Sequence, residues 1–217
     1  MQERVLSIQG VKRLPYYLKF LKELQANGVT YVPAAAIAES LDIYEVQVRK
    51  DLAAISRQPG KPRVGFTVNA LIEDMEHFLG YDNPNTAVLV GAGHLGQALM
   101  SYSELAHYGL KIEAAFDVSP ELIGKNIHGI EVHPVEQLTA LCREKNIEIG
   151  IITTPMEYAQ EICDQLVAGG VKAVWNFAHI YLHVPKGVLV QNEDMAVSFA
   201  LLSNHLARQM GEIPVEE

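Results

Sequence analysis

The chain has 217 residues, a formal net charge of −9, 49% hydrophobic residues and 20% charged residues. That is enough apolar material for a buried core, and the charge is too sparse for a disordered chain. The opening MQERVLSIQGVKR has no apolar signal core, and no apolar run approaches the roughly 18 residues of a membrane span, so a cytoplasmic protein with no membrane partner is expected. Cys142 and Cys163 lack metal-ligand or disulfide spacing, which leaves buried thiols in a reducing compartment.

The charge divides unevenly. Residues 1–80 carry 10 Lys and Arg against 9 Asp and Glu, whereas residues 81–217 carry 7 against 17. Within the first part, residues 47–66 hold Arg49, Lys50, Arg57, Lys61 and Arg63 against Asp51 alone. A basic strip in an acidic chain points to a polyanionic partner.

In chain order, Leu14, Tyr17, Leu18, Leu21 and Leu24 recur at helical spacing, with Pro15 expected in the first turn and Asn27-Gly28 as the stop. A short second helix follows over 33–41, and Asp42-Ile43 breaks it. A third helix is expected over 44–56, with Val46, Leu52 and Ile55 inward and Gln47, Arg49 and Lys50 outward. Two helices around a tight turn, the second one basic, read as a helix-turn-helix whose second helix enters the major groove. Residues 59–68 contain a PGKPR run that excludes helix, and extended pieces around it would form a wing. The candidate DNA contacts are therefore Tyr44, Gln47, Arg49, Lys50, Arg57, Lys61 and Arg63, which would reach phosphates and guanine edges of double-stranded DNA. Residues 69–79 return to helix and lead into a linker over 80–85.

From residue 86 onward strands and helices alternate in the doubly wound manner: strands at 86–91, 111–118, 147–155, 171–178 and 187–192, and helices at 94–105, 135–146, 156–169 and 193–210. The first strand runs into Gly91-Ala92-Gly93-His94-Leu95-Gly96, which opens a helix. Gly91 serves the tight turn, Gly93 lets backbone approach a pyrophosphate, and Gly96 lets helix and strand pack closely. The helix N-terminus offers unpaired N–H groups to phosphate, while the His94 side chain is expected in solvent. Asp117 ends the second strand, where a carboxylate accepts ribose hydroxyls and repels a 2′-phosphate, favouring NAD(H). Val118 follows it, and Thr153-Thr154-Pro155 ends the third strand as a second wall of the pocket. The histidines show no i, i+4 pairing with a nearby Glu or Cys, so no metal is expected. Residues 81–217 contain only Arg143 and Arg208, both on predicted helices away from the strand ends. A dehydrogenase needs an acid–base group and usually an Arg near the nicotinamide. The nucleotide therefore reads as a signal rather than a substrate. An NAD-dependent oxidoreductase with a docking prefix, and a protein binding CoA or a related nucleotide, are the alternatives. Asp117 disfavours the 3′-phosphate of CoA.

The ordered set VRKDL (48–52), a wing ending in Val64-Gly65-Phe66, VGAGHLGQAL (90–99), AAFDVSPELIGK (114–125), TTP (153–155), WNFAHIYLHVP (175–185) and QNEDMAV (191–197) resembles the Rex redox-sensing transcriptional repressors. The resemblance spans nearly the whole chain. It implies a winged helix-turn-helix over 1–80, a Rossmann-type NAD(H) domain over 85–192, and a helix over 193–211 exchanged between the subunits of a homodimer. It further implies binding to palindromic operators that NAD⁺ permits and NADH releases. Asn176 and Phe177 match pocket positions of the family, and Arg13, Tyr102 and Asp194 match positions implicated in its switch. The chain departs from the family at residues 53–62, which replace an aromatic and glycine-rich run, at Ala34-Ala35, which replace a serine pair, and at His179, which replaces a proline.

Overall fold

The computed structural model describes residues 6–210. The chain divides into two compact units, residues 1–83 and 84–217.

In the first unit, helix α1 (Ile8–Ala26) starts at Ser7, whose hydroxyl accepts the Gly10 N–H at 3.1 Å. The helix begins earlier than its apolar periodicity suggests, so Pro15 lies inside it and not in its first turn. The cap at Ser7, rather than the proline, sets the start. Leu14, Tyr17, Leu18 and Leu21 are buried as the spacing requires. They pack with Ile37 of α2 (Ala34–Ser40), with Val48, Leu52 and Ile55 of α3 (Glu45–Ile55), and with Val68, Leu71, Ile72 and Met75 of α4 (Val68–Leu79). The turn between α2 and α3 takes Asp42 into the left-handed region (φ 51°), which Asp tolerates better than most residues.

Val46 is outward and 65% exposed, contrary to the expected inward face. Val48, Leu52 and Ile55 lie at i, i+4 and i+7 and form the buried stripe, and at about 100° per residue Val46 sits about 200° from Val48. The wing also differs from expectation. Its strand β2 (Phe66–Thr67) pairs antiparallel with β1 (Tyr31–Val32), a segment ahead of α2 that shows no strand pattern in the sequence. Lys61 and Gly65 bridge at the tip.

The second unit is a seven-stranded sheet in the order β5-β6-β4-β3-β7-β8-β9. The strands are β3 (Asn85–Val90), β4 (Leu110–Asp117), β5 (Asn126–Ile127), β6 (Ile130–Pro134), β7 (Ile149–Ile152), β8 (Ala173–Asn176) and β9 (Leu189–Asn192). All pairings are parallel except β5 with β6, joined by a His128-Gly129 turn with both φ positive. Apart from β5, the order is that of a dinucleotide-binding Rossmann sheet, and the reversal falls at β3, the strand that feeds the glycine turn. The expected helix over 94–105 is two pieces, α5 (His94–Ser101) and α6 (Glu104–His107).

Helices α7 (Leu138–Glu144) and α8 (Met156–Ala168) cover one face of the sheet through Leu138, Cys142, Ala159, Ile162, Cys163 and Leu166. Burying each Leu- or Ile-sized side chain contributes roughly 1.5–3 kcal/mol. Both cysteines are buried and unpaired, and burial raises their thiols to about 11, so they stay protonated and unreactive near neutrality. The last helix, α9 (Met195–Gln209), has no buried residue and exposes Met195, Val197, Phe199, Leu201, Leu202 and Leu206. Residue 211, the expected end of the terminal segment, lies outside the described residues.

Candidate nucleotide and DNA sites

The glycine turn is held from two sides. The Thr153 hydroxyl donates to the Val90 carbonyl (3.1 Å) or the Gly91 carbonyl (2.7 Å), and the Thr153 N–H also donates to Val90 (2.9 Å). Gly91 has φ 101°, and a methyl group there would lie 2.8 Å from the Thr153 carbonyl carbon, so both conformation and space require glycine. A methyl group at Gly96 would lie 2.1 Å from the Gly91 carbonyl oxygen, which is the close contact between α5 and β3. Gly93 differs. Its φ is −72°, and a methyl group there would meet nothing within 4 Å. Neither strain nor packing demands glycine at that position; the open space does so only if a ligand fills it.

Asp117 is tied into the same turn. Its Oδ2 accepts the Ala92 N–H at 2.7 Å, and its Oδ1 accepts the Ser119 N–H at 2.8 Å. Each carboxylate oxygen keeps a further acceptor position for a ribose hydroxyl. A cavity of about 370 Å³ opens here, lined by Val90, Gly91, Gly93, Asp117, Val118, Thr153, Thr154 and Pro155, and on the α8 side by Tyr158, Glu161 and Gln165. Thr154 Oγ1 is buried with no hydrogen-bond partner. That hydroxyl, on the wall of the cavity, leaves a donor and an acceptor for a polar ligand. The acceptor set, the unfilled space over Gly93, the helix N-terminus without a side-chain cap and the orphan hydroxyl all fit an adenine dinucleotide.

Of the residues singled out in the sequence, Gly91, Gly93, Asp117, Val118, Thr153, Thr154 and Pro155 come together around this cavity. Ala92 is buried beside it through its N–H bond to Asp117, and His94 and Leu95 are exposed at the start of α5. Asn176 is placed elsewhere. It is fully buried, its Nδ2 faces the Ala178 and Ile180 carbonyls and Asn192 Oδ1, and its Oδ1 accepts the Ala178 N–H. Those bonds hold the chain after β8 against β9. Phe177 packs against Trp175 with ring centroids 4.9 Å apart. Sequence reasoning missed Tyr158, Glu161 and Gln165. Their i, i+3, i+7 spacing marks one face of α8, but nothing local marks it as the cavity face. Arg143 donates to the Ala168 carbonyl and Arg208 lies on α9, so neither lines the cavity. Among the described residues no cluster of three or more His, Cys, Asp or Glu is placed to hold a metal, and no helix is long and apolar enough to cross a membrane.

In the first unit, the outward face of α3 and the wing border one groove of about 490 Å³, lined by Arg49 and Glu45 of α3, by Lys61, Pro62 and Arg63 of the wing, and by the start of α2. Lys61 sits 5.1 Å from the Tyr31 ring centroid and its Nζ is 3.3 Å from the Tyr31 hydroxyl. Arg63 takes φ 64° at the wing tip. Arg57 is tethered to α4, its N–H donating to Asp74 at 2.9 Å with Nε 3.4 Å from the same carboxylate. Tyr44, 89% exposed, precedes α3, and Lys50 is also exposed.

Gln47 faces inward. Its Nε2 donates to Asp51 Oδ1 (2.9 Å), within a partly buried network in which Arg13 Nε (2.8 Å) and Nη2 (2.9 Å) and the Tyr17 hydroxyl (2.9 Å) also donate to Asp51. Burial pushes the Asp51 pKa up, but the bonds from Arg13, Gln47 and Tyr17 outweigh it and hold the carboxyl below its ordinary value. Burial, followed by the Asp51 carboxylate, raises the Tyr17 hydroxyl to about 12. The remaining switch candidates are likewise engaged within their own unit. The Tyr102 hydroxyl donates to Glu104 (3.0 Å), which raises its pKa, and Asp194 caps α9 by accepting the Ala196 N–H (2.8 Å) with His179 Nδ1 3.5 Å away.

A basic winged helix-turn-helix joined to a dinucleotide-binding sheet defines a ligand-responsive transcription regulator. Comparison with known proteins agrees. Residues 6–53 match the model of a putative DNA-binding protein N-terminus, and residues 82–180 match that of a CoA binding domain. The redox-sensing transcriptional repressor Rex of Bacteroides thetaiotaomicron is 41% identical over 196 residues, covering 90% of this chain and 89% of the relative. RSP, a Rex-family repressor, has been solved with NAD⁺ and operator DNA, at 32% identity, a TM-score of 0.87 and coverage of 95% and 94%. Its complex with NADH gives 32% identity, a TM-score of 0.82 and coverage of 95% and 96%. The chain belongs to the Rex redox-sensing transcriptional repressors.

Proposed function

We propose that this protein is a repressor that binds palindromic operator DNA as a homodimer, reads the NADH/NAD⁺ ratio, and leaves the operator when NADH is bound. The observation that carries the reading is the pairing, in one chain, of a cavity fitted to an adenine dinucleotide with a helix-and-wing groove rich in cations. RSP is known both with NAD⁺ on operator DNA and with NADH, which supports the same pair of ligands here. A ligand shifts an equilibrium only by its differential affinity for two states, and the nicotinamide charge present in NAD⁺ and absent in NADH supplies such a difference. Gly91, Gly93, Asp117, Val118 and the Thr153–Pro155 turn hold the nucleotide; Tyr44, Arg49, Lys50, Arg57, Lys61 and Arg63 face the DNA. Arg13, Tyr102 and Asp194 exchange their present partners when the state changes.

The exposed apolar residues of α9 support its exchange between two subunits, since an apolar stripe with no cover among the described residues needs a partner surface. A repressor of this kind works in the cytoplasm. Although residues 82–180 match a model described as CoA binding, Asp117 favours an unmodified ribose diol over one bearing a phosphate.

Fluorescence anisotropy of a labelled palindromic duplex tests the proposal. Binding in NAD⁺ that is lost in NADH is the expected result. Binding unaffected by either nucleotide, or tight binding of CoA in place of NADH, refutes it.

A further inference from the structure

The groove between α3 and the wing contains one acid, Glu45, among the cations Arg49, Lys61 and Arg63. An acid there costs affinity for every duplex, because it removes net positive charge from the phosphate-binding surface. Its geometry shows what it does with that charge. Arg49 turns both Nε (2.9 Å) and Nη2 (2.6 Å) onto a single carboxylate oxygen, Glu45 Oε1. That uses two of the five guanidinium N–H groups, on the edge facing back along the helix. The outer edge, formed by Nη1 and the second Nη2 hydrogen, faces away from Glu45, and the exposed i, i+4 pair, with side chains 69% and 40% exposed, biases its orientation. Two parallel donors on that planar edge match O6 and N7 of guanine in the major groove, whereas an arginine with no such bias swings more often to phosphate. Glu45 Oε1 takes both Arg49 bonds, and a carboxylate oxygen is also an acceptor for the N4 amine of cytosine.

We infer that Glu45 determines sequence specificity: paired with Arg49 it forms a reading unit for a G·C base pair, with Arg49 on the guanine and Glu45 turning the guanidinium away from the backbone. The inference rests on the DNA-binding reading above. The competing explanation is that Glu45 merely stabilises the first turn of α3, where a carboxylate interacts favourably with the helix dipole.

The test is selection of bound duplexes from a randomised palindromic library by the full-length protein in NAD⁺, with wild type, Glu45→Gln and Arg49→Lys in parallel and circular dichroism as a fold control. Wild type should prefer G·C over A·T at one symmetric position by about tenfold or more. Glu45→Gln should lose most of that preference at this position alone. Its affinity for random duplex should rise a few-fold, with a salt slope steeper by about one. Arg49→Lys keeps the charge but not the two-nitrogen edge, and should lose the preference at the same position. Unchanged preference in Glu45→Gln, or losses at different positions in the two variants, overturns the inference while leaving DNA binding intact. Failure of wild type to bind any duplex overturns the DNA-binding reading as well, and is distinguishable because no position then shows a preference.

Discussion

Replacing Arg13 with methionine removes two bonds from a carboxylate that is 1% exposed. Breaking a buried ion pair by deleting one partner costs about 3–5 kcal/mol, because the other charge stays buried. Tyr17 and Gln47 still donate to Asp51, which places the expected loss near the lower limit, about 3 kcal/mol at pH 7. The pH dependence gives a second signature. In the wild type the folded Asp51 pKa lies below the unfolded one, so the network contributes stability above about pH 3.9 that is lost as pH falls through the folded value. In Arg13→Met two of the bonds that lower it are gone, so the folded Asp51 pKa moves up from its wild-type position. The variant then regains stability relative to wild type as pH falls through its own folded Asp51 pKa, because a carboxylate left with only Tyr17 and Gln47 takes a proton at higher pH than in wild type. Urea denaturation followed by circular dichroism over a series of pH values from 7 downward measures the gap. Trp175, the only tryptophan, lies in the second unit, and its fluorescence reports that unit separately. A loss below about 1 kcal/mol, or a gap that stays constant as pH falls from 7 into the range where carboxylates titrate, would refute the assignment of Arg13 as the charge partner that anchors α3.

Two glycine substitutions should separate fold from ligand. Gly93→Ala should leave thermal stability nearly unchanged yet weaken NADH binding at least tenfold in calorimetry, since the methyl group enters space open only to a ligand. Gly96→Ala should destabilise the second unit by about 1–3 kcal/mol and weaken NADH binding too, because its methyl group meets a backbone oxygen that cannot yield without shifting the turn. Asp117→Ala should lower NADH affinity ten- to a hundred-fold and cost about 1–3 kcal/mol of stability, the Ala92 and Ser119 N–H groups having lost a charged acceptor. Lys61→Ala with Arg63→Ala should flatten the logarithmic salt dependence of DNA binding by about two; an unchanged slope would place the wing away from phosphate.

The elements with local causes were legible in the sequence. A buried strand that runs into GAGHLG and then a helix is specified by residues adjacent in the chain, since the tight turn, the close helix–strand contact and the helix start all arise within ten positions. The same is true of α2-turn-α3, whose stripe of Leu52 and Ile55 and whose outward cations follow from helical periodicity. What tertiary structure alone decided are contacts between residues distant in sequence. Thr153 is expected as a pocket wall from its place at a strand end, but that its hydroxyl holds the glycine turn is decided only when β7 lies beside β3. Tyr31-Val32 becomes a strand only because β2 supplies its hydrogen-bond partner. Asn176 resembles a pocket residue by its position in a motif, but the packing of β8 against β9 commits its polar atoms to the protein's own chain. Arg13 and Asp51 are 38 residues apart and meet only when α1 and α3 share a core. Periodicity reports which face of an element is buried; it carries no information about which polar group on another element will arrive there.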